Sequence, residues 1–136
     1  MLLLAMVGCC VTGYVLMVLY IRFSIPPPEA TNIDVRYIMG KDSFSYIRFD
    51  LPPEYLEPFK NDICTGEPYT VSTLPLETLL TCDGIPSYPG GSPDWWTPCE
   101  AEIYEAGTCT GNWLYDILID KKYSEQYTVF VIAASQ

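Results

Sequence analysis

Tyr127-Thr128-Val129-Phe130-Val131-Ile132-Ala133-Ala134 is an almost unbroken apolar run, rich in β-branched residues, near the end of a 136-residue chain. A half-exposed strand alternates apolar with polar residues. This run does not, so it predicts a central strand or one covered on both faces. Lys121-Lys122-Tyr123-Ser124-Glu125-Gln126 joins it to a second strand candidate, Trp113 to Asp120. A central strand needs neighbours on both sides, and the search for them leads upstream.

Phe44-Ser45-Tyr46-Ile47-Arg48-Phe49-Asp50-Leu51 is aromatic, β-branched and mostly alternating, and so is Ile33 to Met39. The turn Gly40 to Ser43 joins them, which predicts an antiparallel hairpin. Pro52-Pro53 ends the second strand. Pro53 to Ile63 then reads as a short helix: proline is tolerated in its first turn, and Leu56, Phe59 and Ile63 share one face. Pro58 is the feature that argues against it, since an interior proline removes a backbone donor. From Cys64 to Thr110 the chain is rich in Gly, Pro, Ser and Thr, with short apolar runs such as Leu74 to Leu80. It reads as loops that need pinning. The order strand, strand, helix, loops, strand, strand predicts an α+β domain with a mostly antiparallel sheet and one short helix on a face.

Cys64, Cys82, Cys99 and Cys109 are the means of pinning. They contain no C-x-x-C pair, so neither a zinc site nor a thioredoxin-like centre is indicated. Pairings Cys64–Cys82 and Cys99–Cys109 close the shortest loops and are expected here, each contributing about 3 kcal/mol in the loop-entropy description.

Arg48-Phe49-Asp50-Leu51-Pro52-Pro53-Glu54, running from a strand into a helix, resembles a signature of small bacterial envelope proteins with no established activity. Pro93-Asp94-Trp95-Trp96 in the middle loop and the closing hairpin, with Asp120-Lys121 and Tyr127-Thr128-Val129, extend the similarity across most of residues 29 to 134. The resemblance implies this order of elements and an envelope location, and it carries no catalytic residue.

Met1 to Ile21 contains no charged side chain, and Arg22 is the first charge. A helix of that length spans about 30 Å, the thickness of a bilayer's hydrocarbon core. No Lys or Arg precedes the run, it is longer than a signal peptide's apolar core, and no small-x-small cleavage site follows Tyr20. The reading is therefore a retained single-span anchor over 1–23, a proline-rich linker over 24–31 and a domain over 32–136. Pro26-Pro27-Pro28 is expected to act as a semi-rigid spacer lifting the domain off the membrane. Ala5, Cys9 and Gly13 are four apart and mark a small-residue face for packing another membrane helix. Arg22 weakly favours a cytoplasmic domain, but four cysteines in a small acidic domain favour an oxidising compartment. The expected topology is N-terminus cytoplasmic, with the domain periplasmic or on the outer face.

The net charge is −10, and no Lys or Arg lies between Lys60 and Lys121. Such a surface repels a phosphate backbone, so nucleic acid is a poor partner. The chain has no histidine, which removes Ser-His-Asp and Cys-His catalysis and all histidine metal ligation. Glu100, Glu102 and Glu105 lack any specified cleft for acid/base work, and with Asp94 they lack EF-hand spacing for calcium. Trp95, Trp96, Glu100, Glu102 and Glu105 form the candidate partner surface; Trp95 and Trp96, with Tyr88 and Trp113, would supply an aromatic platform for a sugar or a protein, though adjacent tryptophans seldom face the same way. No enzyme and no cofactor is expected. The function that fits is an accessory subunit of a larger membrane complex, respiratory or photosynthetic, contacting other transmembrane subunits. The alternative is a tethered module whose acidic face docks a basic soluble protein, such as an electron carrier, or cations.

Overall fold

The computed structural model describes residues 2–38, 43–76 and 94–135, with side chains on the first helix described from Val7 onward. The chain is α+β. Helix α1 (Leu2–Ser24) precedes strands β1 (Thr31–Ile38) and β2 (Phe44–Leu51). Helix α2 (Leu56–Ile63), the two-residue β3 (Thr70–Val71), β4 (Tyr104–Thr110), β5 (Leu114–Asp120) and β6 (Tyr127–Ala134) follow. Among the described residues these strands form one antiparallel sheet of order β1-β2-β6-β5-β4-β3. Strand β6 is interior, as its apolar run requires, and it joins the two hairpins: Phe49 pairs with Val129 on one side and Ile119 pairs with it on the other.

Both sides of β6 are buried. Val129, Val131 and Ala133 face a core with Phe49, Ile117, Ile119 and the α2 residues Leu56, Phe59 and Ile63. Phe130 and Ile132 face a smaller core with Tyr46, Leu118 and Trp96. Helix α2 uses the predicted face. Pro53–Tyr55 forms a 3-10 turn ahead of it, and Pro58 falls at the third helical position, where no intrahelical donor is required. Phe59 meets Phe49 edge-on at 5.2 Å between ring centroids, a favoured aromatic geometry.

Two expectations are corrected. The first concerns Cys64 to Thr110, read as loops throughout, which contains β3 and all of β4. Tyr104-Glu105-Ala106-Gly107-Thr108-Cys109-Thr110 carries small residues where a strand normally shows bulk. Gly107 has a reason to be small: a Cβ there would lie 2.6 Å from the Tyr69 ring and 2.5 Å from the Thr70 carbonyl, because β3 closes over it. The second is the cysteine pairing. Cys64 is bonded to Cys109, across a separation of 45 residues, which excludes both short-loop pairings. Once β4 lies beside the end of α2, Cys109 is the cysteine within reach, with a Cα–Cα distance of 5.5 Å. Cys99 is also disulfide-bonded; Cys82 lies outside the described residues, as do Tyr88, the 39–42 part of the predicted turn and most of the Leu74 to Leu80 run.

Helix α1 departs from the spacer reading. Ile21 and Ile25 are buried in the main core, and Tyr14, Met17 and Val18 pack against it. These five residues recur at helical spacing on one face. Tyr14 lies against Tyr37 of β1, with ring centroids 6.2 Å apart. Pro26 is buried too, and a turn closed by Ala30 N–H donating to the Pro27 carbonyl leads directly into β1. The prolines thus form a tight joint, and the end of the helix is part of the domain. Leu16 and Phe23 on its other side stay apolar and exposed, and so do Val7 and Val11 nearer its N-terminus. The segment Val7–Ser24 is long and apolar enough to cross a membrane.

Candidate functional site

Residues on β2 alternate between the two sides of the sheet. Ser45, Ile47, Phe49 and Leu51 are on the side covered by both helices, while Arg48 and Asp50 project on the other with Tyr46. Register places Asp34 of β1 opposite Arg48 and Thr128 of β6 opposite Asp50. The β5–β6 connection then overhangs this end of the sheet. The outcome is a polar groove of about 440 Å³ lined by Arg48, Asp50, Tyr123, Glu125, Gln126 and Thr128.

Hydrogen bonds organise its floor. Asp50 accepts from the Asn32 side-chain amide at 2.7 Å through Oδ2 and from the Thr128 hydroxyl at 3.0 Å through Oδ1. Gln126 Nε2 donates to Thr31 Oγ1 at 3.1 Å, tying the overhanging turn to β1. The β1–β2 register shifts between Thr31 and Asp34, and Asn32 has a positive φ of 51°. Asparagine tolerates that backbone region better than most residues, and its side chain is the one bound to Asp50. Arg48 Nη1 lies 3.7 Å from Asp34 Oδ2, an open ion pair with both side chains partly exposed.

The predicted partner surface separates into parts with different roles. Trp96 is 2 % exposed and meets Tyr46 and Phe130 edge-on at 4.9 and 5.5 Å. It is therefore a core plug and cannot offer a face to a ligand. Trp95 packs edge-on against it, and Trp113 belongs to the core on the opposite side of the sheet, so the tryptophans build no shared platform. Glu100 and Glu102 are exposed. Glu105 instead accepts from Lys60 Nζ at 2.8 Å and from the Tyr69 hydroxyl at 3.1 Å, with Lys121 Nζ at 3.8 Å. Lys60 is 6 % exposed, also donates to Glu57 at 3.1 Å, and sits 4.3 Å from the Tyr69 ring centre.

Burial alone would lower the Lys60 pKa and raise that of Glu105. The hydrogen bonds and opposite charge between them outweigh it, so Lys60 is held above and Glu105 below the ordinary value. Both remain charged at neutral pH, and a lysine so held is no nucleophile. The cluster fastens α2 to β4 and to Lys121, just past the end of β5. Cys9 and Gly13 lie on the exposed side of α1, and a Cβ on Gly13 would meet nothing within 4 Å; the Ala5 side chain lies outside the described residues. Among the described residues no group of three metal-binding side chains occurs.

A second cavity, about 330 Å³, has Asp116 and Glu67 in its lining. Burial raises the Asp116 pKa to about 6. A carboxyl raised on folding binds more protons folded than unfolded, so this residue makes stability fall as pH rises from the ordinary aspartate value through about 6. Asp116→Asn should raise the urea midpoint above that range and leave it unchanged below. Parallel urea titrations of both proteins across the window are the check; a constant difference at every pH would contradict the assignment.

No protein-family model matches the chain, and neither does any curated protein or solved structure. The groove was only half legible in sequence. Arg48-Phe49-Asp50 stood out as a motif, and strand alternation puts its two charged residues on one side. Asn32, Gln126 and Thr128 come to it through register and gave no signal of their own.

Proposed function

We propose that this protein is a non-catalytic, membrane-anchored subunit whose helix and domain act as one rigid piece. The observation that carries the reading is the burial of Ile21 and Ile25 in the domain core while Val7, Val11, Leu16 and Phe23 stay exposed and apolar. A flexibly tethered module has no need of such a joint. A subunit that must present a cap at a fixed angle to neighbouring membrane helices does. The exposed small residues Cys9 and Gly13 sit where a second helix would approach closely.

The Cys64–Cys109 bond supports placing the domain on the extracytoplasmic side, where disulfides persist. Respiratory and photosynthetic assemblies are the class of complex proposed. The test is native electrophoresis of the chain extracted in mild detergent from its own membranes, beside a Gly13→Leu form. A larger assembly that the substitution disrupts is the expected result; a chain that runs alone in both forms overturns the reading.

Exposed Glu100 and Glu102 within a chain of net charge −10 favour the second reading, a dock for a basic soluble protein. Association that weakens steeply with added salt is its signature, and salt-independent association would exclude it.

A further inference from the structure

Most polar side chains near the sheet are hydrogen-bonded to one another, whereas among the described residues the Arg48 guanidinium makes only its open ion pair with Asp34. Its nearest acidic oxygen, on Asp34, is 3.7 Å away, beyond good hydrogen-bond distance. An arginine offers five N–H donors in a planar fork. Here they sit at the edge of a concave groove whose neighbouring acceptor, Asp50, is fixed by two donors at 2.7 and 3.0 Å. Each Asp50 oxygen has accepted one hydrogen bond and retains capacity for another. The groove thus presents a donor fork with N–H groups to spare beside an oriented acceptor, with the Tyr123 ring, 65 % exposed and with Lys122 Nζ 5.4 Å from its centre, on its rim.

Charge narrows what fits. Asp34, Asp50 and Glu125 outnumber Arg48 and the Lys122 ammonium that sits 5.4 Å from the Tyr123 ring centre, and the chain carries −10 overall, so an anion is repelled over most of its approach. A small cation would meet the guanidinium, and no metal-binding group of three occurs among the described residues. What remains is a neutral ligand carrying adjacent donors and acceptors together with an apolar face. Vicinal hydroxyls on a sugar ring pair naturally with an arginine–carboxylate couple, and the ring's C–H face suits a tyrosine that is apolar in body and polar at its tip. We propose that this groove binds a neutral carbohydrate, with Arg48 and Asp50 hydrogen-bonding its hydroxyls and Tyr123 packing on the sugar ring.

The placement suits a membrane protein. Arg48, Asp50 and Thr128 are on the side of the sheet opposite the α1 and α2 contacts, so the groove stays open to solvent while the helix is embedded. The inference is independent of the subunit reading, and the test can be run on the full chain alone.

The experiment is amide NMR of the full chain in detergent, titrated separately with cellotetraose, maltotetraose, tetra-N-acetylchitotetraose and hexalysine. The expected result is saturable shifts at Arg48, Gln126 and Thr128 with at least one neutral tetrasaccharide, unaffected by added salt. Arg48→Ala and Tyr123→Ala should each weaken that binding about tenfold, the scale of losing one well-placed contact. Thermal unfolding should be unchanged in both, since Arg48 holds only an open surface ion pair and Tyr123 is exposed. No saturable shift with any tetrasaccharide up to about 10 mM, weaker than any useful affinity, overturns the proposal. So does a groove response to hexalysine alone, or sugar binding that survives Arg48→Ala intact.

Discussion

Replacing Cys64 and Cys109 together by alanine should lower the unfolding free energy by about 4 kcal/mol, the loop-entropy value for a closed loop of this length. Their separation is 45 residues, and the cost of closing a loop grows with its length. The bond also joins covalently two parts of the core: Cys64 caps the end of α2, and Cys109 is buried within β4. Alanine avoids placing a new hydroxyl in the core. Small domains have total stabilities on the order of 5–15 kcal/mol, so the double variant should be close to marginal. Urea titration followed by tryptophan fluorescence is the measurement, with buried Trp96 as reporter. The midpoint should fall strongly with little change in slope. A loss under about 1 kcal/mol would mean that residual structure in the unfolded chain already holds the two ends together without the bond, against the disordered loop the entropy argument assumes.

That pairing shows where sequence reasoning stops. Loop entropy describes only the unfolded chain, and on that ground the shortest loops looked best. The folded chain pairs by proximity, and proximity depends on β4, which its own sequence does not announce. Strand β4 is hard to read for a local reason: Ala106 and Gly107 at its centre carry no bulk, and at Gly107 the Tyr69 side chain and the Thr70 backbone occupy the space a side chain would take. By contrast, β2 and β6 were legible to the residue, since burial on both sides of β6 writes itself into composition. Helix α2 was legible through the spacing of Leu56, Phe59 and Ile63. The groove lies between these cases: Arg48 and Asp50 are readable from alternation, and their partners are not. The docking of α1 could not be read at all. A segment apolar on every side carries no periodicity to distinguish the face that meets protein from the face that meets lipid.

Ile21→Ala should expose that hidden distinction. Ile21 is fully buried between helix and sheet, and truncating a buried isoleucine costs about 3 kcal/mol, the transfer of the lost methyl groups plus a residual cavity. Leu16→Ala, on the exposed side of the same helix, should leave the domain's stability within about 0.5 kcal/mol, as surface changes do. In a bilayer alone the two leucine-like positions would be equivalent, so the difference between them measures docking and not hydrophobicity. The undocked state has one feature in its favour. Among the described residues the Ser45 hydroxyl is buried without a hydrogen-bond partner on the helix-covered side, in register between Tyr37 and Ala133, and an unpaired buried hydroxyl costs about 1–3 kcal/mol. Loss of the Ile21 contact should therefore loosen the helix before it unfolds the sheet. Hydrogen exchange on the full chain in detergent would report this as faster exchange in β1, next to the Tyr14–Tyr37 contact, with β6 still protected. Equal, uniform acceleration in β1 and β6 would instead show that the helix is an inseparable part of one cooperative core.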